Sequence, residues 1–220
     1  MKNRRIELIL EEVRPGDSVL NVGCASCDHA DRSVWLHRLL FEKASKVVGV
    51  DTCMPEDKTA NIGKPNIVIA DAQQMELGEK FDLIVAGEVI QHLPNPGLFL
   101  SRAREHLKED GRMVITIPNT WEWIKLGRAL FGRPSTRLNS YMCWYDKPTL
   151  AGLLNQYGFV IDRLEFVPRL PYTYNLGFGG KVVERLTFLF SGIMYRLGLK
   201  HLAGNVLFVK CVTDRQEIKK

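Results

Sequence analysis

The stretch that decides the fold is Val19-Leu20-Asn21-Val22-Gly23-Cys24-Ala25-Ser26-Cys27, an apolar run that breaks into a turn of small residues. A buried strand followed by small side chains lets a ligand approach the backbone. It also leaves the amides of the next helix's first turn free to donate. Working outward, the design recurs. Lys46-Val47-Val48-Gly49-Val50-Asp51 and Ile67-Val68-Ile69-Ala70-Asp71 are apolar runs that each end on an acid. Phe81-Asp82-Leu83-Ile84-Val85-Ala86-Gly87 is a fourth strand, and Arg112-Met113-Val114-Ile115-Thr116-Ile117 a fifth, closed by Pro118. Helical spacing separates them: Ile6, Ile9, Leu10 and Val13 before Pro15-Gly16, then Val34 to Phe41, then Gly97 to Lys108. Strands apolar on both faces and alternating with helices imply a parallel sheet covered on each side. The expected class is therefore α/β, an open doubly wound sheet whose ligands sit beyond the carboxyl ends of the strands.

Beyond Pro118 the pattern changes. Trp121, Trp123, Ile124, Leu126, Leu130 and Phe131 form an aromatic-rich helical segment with Lys125, Arg128 and Arg133 among them, and a polar loop spans Pro134 to Ser140. Pro148 to Tyr157 reads as a helix ended by Gly158, and Phe159 to Val167 as a strand. Lys181 to Leu199 carries Val182, Leu186, Leu189, Ile193 and Leu197 at steps of three and four, an amphipathic helix. Asn205 to Val212 reads as a last strand, with a charged tail from Asp214 to Lys220. The expected organisation is a ligand-binding α/β core over 1–118 and an inserted cap or substrate segment over 119–145. Residues 146–220 then hold the rest of the sheet with an inserted amphipathic helix.

Composition narrows the class. The 220 residues are 45% hydrophobic and 25% charged, which suits a globular chain and not a disordered or fibrous one. The longest nearly apolar run, Leu186 to Tyr195, lies between Arg185 and Arg196 and is about half the roughly 20 residues a spanning helix needs. Glu7, Glu11 and Glu12 interrupt any secretory-type apolar stretch after Arg4-Arg5. Five cysteines, an odd and sparse number, point to a reducing cytosol rather than a disulfide scaffold. The net charge of +5 is unevenly spread: residues 1–118 balance at −3 and residues 119–220 at +8. The basic part either faces something anionic or is an ordinary solvated surface.

The ordered strand ends carry the chemistry. Asp51, followed by Thr52, is placed to accept hydrogen bonds from ribose hydroxyls. At Asp71-Ala72 a carboxylate can accept from an adenine amino group while the next amide meets a ring nitrogen. Gly87-Glu88-Val89-Ile90-Gln91-His92-Leu93-Pro94 follows the fourth strand. In this order of motifs the chain resembles the class I S-adenosylmethionine-dependent methyltransferases, in their small-molecule branch with a "GEVIEHL" segment. The likeness covers residues 15–118. Trp144-Tyr145-Asp146-Lys147-Pro148-Thr149-Leu150 with Leu153-Leu154 and Gly158-Phe159 extends it toward a sixth strand. The resemblance implies a Rossmann-like, mostly parallel seven-stranded sheet with the last strand antiparallel, a small C-terminal helical cap, and S-adenosylmethionine as cofactor. It also implies that Asn21, Gly23, Cys24 and Ala25 border the methionine moiety. Asp51 and Thr52 would hold the ribose, Asp71 and Ala72 the adenine, and Gly87 and Glu88 the floor below the sulfonium. The expected reaction is methylation of a small molecule, most simply on a hydroxyl of a glycan, a lipid-linked precursor or another metabolite.

Several positions depart from that pattern. The family's first motif reads acid-x-Gly-x-Gly-x-Gly, against Asn21, Gly23, Ala25 and Cys27 here. Asn21 loses a negative charge, Ala25 would resist a positive φ, and Cys27 is bulkier than glycine; together they allow a weakened site or a binder without catalysis. The long interval from Gly23 to Asp51 calls for an extended first helix. Cys24, Cys27 and His29 suggest zinc or redox chemistry, but no second C-x-x-C supplies the usual four ligands, so no metal is expected. His92 either accepts or orients a substrate proton, or is a helix-start residue bound to backbone. Tyr141, Trp144 and Tyr145 either wall the substrate or pack in the core. The basic, apolar segments at 121–131 and 181–199 either rest on an anionic membrane or bury their stripes as a cap. A nicotinamide oxidoreductase lacks its G-x-G-x-x-G here. Nucleic acid is disfavoured, since no Asp/Asn-Pro-Pro-aromatic run follows the fourth strand, although oxygen-directed RNA methylation stays open.

Overall fold

Chain neighbours in the inner strands are buried in opposite layers, as runs apolar on both faces require. Leu20, Val48, Ile84 and Met113 join one cluster with Phe99, Leu100, Leu150 and Leu154. Val19, Val47, Leu83 and Val114 join the other with Leu8, Ile9 and Leu40. This alternation follows from the two-residue period of a strand. Helix α1 (Arg4–Glu11) and helix α2 (Leu36–Phe41) supply the second layer; α3 (Pro96–Glu105) and α5 (Lys147–Gln156) supply the first. The computed structural model describes residues 3–25, 35–53, 66–132, 141–168 and 178–214.

Between the layers lie β1 (Ser18–Val22), β2 (Lys46–Asp51), β3 (Ile67–Ile69), β4 (Phe81–Gly87), β5 (Leu107–Pro118), β6 (Phe159–Pro168) and β7 (Gly204–Thr213). Their order across one sheet is β3-β2-β1-β4-β5-β7-β6. The first five strands run parallel, and β7 lies antiparallel between β5 and β6. This is the mostly parallel seven-stranded sheet expected from the sequence. The strand order reverses between β1 and β4, and the crevice at that switch point is where such sheets bind ligands. Both long helices of the first layer start on chemistry written in the sequence. Asn95 accepts from the Leu98 amide at 3.3 Å, and Asp146 and Thr149 form a reciprocal capping box ahead of α5.

The structure corrects three expectations. β3 stops at Ile69 rather than Asp71, because the Asp71 carboxylate turns back onto the Gln73 amide at 2.9 Å and bends the chain out of the ladder. β5 begins at Leu107, ahead of Arg112, with a register shift opposite Phe81 and Leu83. The third concerns α6 (Phe178–Arg196), beside α4 (Trp123–Leu130) and α7 (Lys200–Ala203). The cap expectation had Val182, Leu186, Leu189, Ile193 and Leu197 buried, yet all five are exposed. The inward face is instead the one bearing Ser191, Met194 and Tyr195, held by polar anchors: Trp123 Nε1 donates to Ser191 Oγ at 2.9 Å, and the Tyr195 hydroxyl to the Phe166 carbonyl at 2.9 Å. Among the described residues no helix is long and apolar enough to cross a membrane. Ser26, Cys27 and His29, most of the segment between Gly23 and α2, the loop from Pro134 to Ser140, and the tail after Asp214 lie outside the described residues.

Candidate active site

Gly23 makes the bend after β1 and has to be glycine for two reasons. Its φ is +73°, and a Cβ added there would lie 2.4 Å from Val89 Cγ2. Its amide donates to the Val50 carbonyl at 2.8 Å, which pins the bend against β2. Asn21 does not face the bend. Its side-chain amide is buried and meets His37 Nδ1 at 3.2 Å, so Nδ1 is the acceptor and the imidazole is neutral. Burial holds the His37 pKa down to about 4 from its ordinary 6.5. Cys24 and Ala25 are buried. The feared strain at Ala25 does not arise, because Glu88 alone among the described non-glycine residues has a positive φ.

The second and third strand ends lie side by side, since Asp51 pairs with Ile69 and the Asp51 carbonyl accepts from the Ala70 amide at 2.9 Å. Asp51 Oδ2 accepts from the Ala25 amide at 2.8 Å, tying the acid of β2 to the turn after β1. A carboxylate has about four acceptor positions, so this bond leaves room for hydroxyl donors. Thr52 is exposed beside it. The Asp71 carboxylate is held by Gln73, whose Nε2 donates to both oxygens at 3.1 and 3.0 Å. Gln73 Oε1 in turn accepts from the Asn95 amide at 2.8 Å. Ala72 is buried next to Asp71. Sequence reasoning missed Gln73, although its place two residues after an acid is the signal of a local side-chain turn.

The end of β4 combines an unusual backbone with a buried acid. Glu88 has φ +60°, a conformation that costs about 1–3 kcal/mol and persists only where its surroundings enforce it. Its Oε1 is buried without a hydrogen-bond partner. Burial pushes the carboxyl pKa up; Arg5, Lys125 and His92, together with the Thr116 hydroxyl, pull it down less strongly. Arg5 reaches across from α1 to Thr116 Oγ1 at 3.4 Å, and Gly87 lies against that pair. Neither Arg5 nor Thr116 was legible as a site residue, because each comes from a different layer.

His92 closes a short 3-10 turn, Ile90–His92, and stacks edge-on with Tyr141 at 5.0 Å; Tyr141 meets Trp144 at 5.9 Å. Gln91, beside His92, is 2% exposed, yet neither its Nε2 nor its Oε1 has a partner. Its carbonyl anchors the wall by accepting from the Met142 and Cys143 amides at 2.8 and 3.2 Å. Gln91, Ile117, Pro118, Tyr141, Trp144 and Tyr145 are among the residues lining a small cleft open to solvent. His106 by contrast is structural: its Nε2 accepts from the Leu77 amide at 2.9 Å. Among the described residues no group of histidines, cysteines and acids is placed to hold a metal.

These features can be compared with a cationic, nucleoside-bearing ligand. Glu88 Oε1 and both polar atoms of the Gln91 side chain are buried without a hydrogen-bond partner, and the Asp51 carboxylate stands beside the Gly23 bend with acceptor positions to spare. The residues present fit such a group. The family described as "Methyltransferase domain" matches residues 2–164. A ubiquinone biosynthesis O-methyltransferase of Bradyrhizobium diazoefficiens is 27% identical over 126 residues, 53% of this chain and 46% of that protein. The chain thus spans about half the length of the curated relatives it matches. Two solved structures share the fold. A SAM-dependent methyltransferase from Archaeoglobus fulgidus has TM-score 0.63 and 18% identity, covering 95% of this chain and 91% of its own. The 1,6-didemethyltoxoflavin-N1-methyltransferase of Burkholderia thailandensis, with S-adenosylhomocysteine bound, has TM-score 0.62 and 14% identity, covering 97% and 80%. With its sheet order, its Gly23 bend and a family match over most of its length, the chain belongs to the class I S-adenosylmethionine-dependent methyltransferases.

Proposed function

We propose that this chain transfers a methyl group from S-adenosylmethionine to a hydroxyl oxygen of a small acceptor in the cleft beside β4 and β5. The observation that supports this reading most is the set of buried polar atoms without a hydrogen-bond partner just after β4, Glu88 Oε1 and the side-chain amide of Gln91, the latter lining the cleft under the aromatic wall. Asp51 and Thr52 receive the ribose, and Asp71 with Ala72 the adenine. Gly23, Cys24 and Ala25 border the methionine moiety, with Asn21 behind them acting through His37. Gly87 and Glu88 form the floor. Bound there, the cofactor supplies an electrophilic methyl carbon on a sulfonium.

The chain's own contribution is placement. Methyl transfer depends on in-line approach, so holding an acceptor oxygen in one orientation is worth more than a strong base. Gln91 offers both a donor and an acceptor to polar groups next to the reacting hydroxyl. His92, packed on Tyr141, takes or orients the hydroxyl proton. The oxygen acceptor is favoured by the similar curated proteins, most of which are O-methyltransferases. A lipid-linked hydroxyl is the acceptor form that suits the outward apolar face of α6.

Incubating the protein with methyl-labelled S-adenosylmethionine and a panel of phenols, sugars and lipid-linked alcohols tests this by mass spectrometry of the products. A methyl ether is expected, with Gln91→Ala raising KM about tenfold or more, the loss of one or two buried hydrogen bonds. Methylation on nitrogen or carbon alone would overturn the choice of oxygen. Tight S-adenosylhomocysteine binding without transfer to any acceptor would favour a binding protein that kept the fold.

A further inference from the structure

We propose that the outer face of α6, with the end of α4, is a docking surface for an anionic lipid bilayer. The face is built for an apolar solvent. At 100° per residue, Val183, Leu186, Leu189, Phe190, Ile193 and Leu197 fall within an arc of about 120°. All six are exposed, Leu186 at 61% and Leu197 at 72%. Arg185 and Arg196 project along one edge of that arc, and both are exposed. Beside it α4 presents Leu130 and Phe131, exposed at 84% and 82%, and the two helices are joined where Trp123 stacks on Phe190 at 5.0 Å.

The orientation is enforced rather than accidental. Ser191 and Tyr195, on the opposite side of α6, are bound to Trp123 and to the Phe166 carbonyl. Turning the apolar stripe inward would break both hydrogen bonds and bring Arg185 and Arg196 toward the sheet. A helix with its hydrophobic face outward and its arginines at the edge lies in the plane of a membrane interface. It does not span one, since the charges of Glu184 and Arg185 interrupt it.

Charge selects lipid over a second copy of the chain. Residues 178–203 carry Lys181, Arg185, Arg196 and Lys200 against Glu184 alone, and α4 adds the exposed Arg128, its Lys125 being paired with Glu122 at 3.6 Å. Two such surfaces face to face would repel, whereas anionic headgroups complement them. The arrangement also places the bilayer beside the cleft. α4 follows directly from the end of β5, and Lys125 on it is close enough to act on the Glu88 carboxyl.

Co-sedimentation of the intact protein with vesicles tests this without reading catalysis, so its failure leaves the methyl-transfer reading standing, and the reverse. The protein is expected to pellet with phosphatidylcholine/phosphatidylglycerol vesicles, to stay in solution with phosphatidylcholine alone, and to be released by salt. Arg185→Gln with Arg196→Gln should weaken binding about fivefold per charge, roughly twenty-five-fold for both. Leu186→Asp with Ile193→Asp should abolish it while leaving the circular dichroism spectrum unchanged. If that pair fails to fold, the arginine pair decides. No binding to anionic vesicles, or equal pelleting of the aspartate pair, overturns the proposal. A vesicle-free dimer that the aspartate pair dissociates overturns it too, and assigns the face to a second copy.

Discussion

Replacing Gly23 by alanine should cost about 3 kcal/mol, and the structure separates this into two parts. The first is conformational: an L-residue at φ +73° pays about 1 kcal/mol against glycine. The second is steric. The new methyl carbon would stand 2.4 Å from Val89 Cγ2, whereas carbon atoms rest at about 3.5–4.0 Å. Val89 must therefore retreat by more than an ångström, and forced repacking of this kind costs about 1–3 kcal/mol. Val89 follows Glu88, so the retreat also disturbs the residue with the strained backbone. Urea unfolding followed by circular dichroism reads the stability, and calorimetry with S-adenosylhomocysteine reads the site. A double-mutant cycle with Val89→Ala isolates the steric part. With the γ-methyl gone, Gly23→Ala should cost only about 1 kcal/mol more than Val89→Ala alone, a coupling of about 2 kcal/mol. Additive losses in that cycle would refute the clash and leave only the backbone conformation.

Three further outcomes are expected. His37 has its pKa depressed to about 4, so the folded state resists its protonation. Its contribution is present above pH 6.5 and lost as pH falls toward 4, about 3 kcal/mol in all. His37→Gln should flatten that part of a stability–pH profile, and an unchanged profile would show that the ring is not buried neutral. Arg112 and Asp17 form a buried pair, with Arg112 also bonding the Glu12 carbonyl. Arg112→Leu should lower stability by about 3–5 kcal/mol in urea, and Arg112→Met with Asp17→Asn should recover much of it. Gln73→Ala releases two hydrogen bonds from the Asp71 carboxylate. It should weaken S-adenosylhomocysteine binding about tenfold by calorimetry, and unchanged affinity would remove Asp71 from the nucleoside site.

The sequence by itself determined the sheet. Apolar runs such as Lys46–Asp51 and Phe81–Gly87 are strands with the same limits in the structure, because a chain apolar on both faces has only a covered parallel sheet in which to lie. The strand-end acids and the glycine at 23 were legible for the same reason: local backbone needs are written in local residue types. Tertiary structure alone decided the rest. Gln73 is tied to the Asn95 amide, Asn21 serves His37, and Arg5 reaches Thr116 from another layer; these pairings depend on which elements meet. The direction of α6 is the clearest case. A helical stripe fixes which residues share a face, but its period is the same whether that face meets a protein core or a solvent boundary. Hydrogen bonds from Trp123 and Tyr195, made to partners distant in the chain, turned the stripe outward.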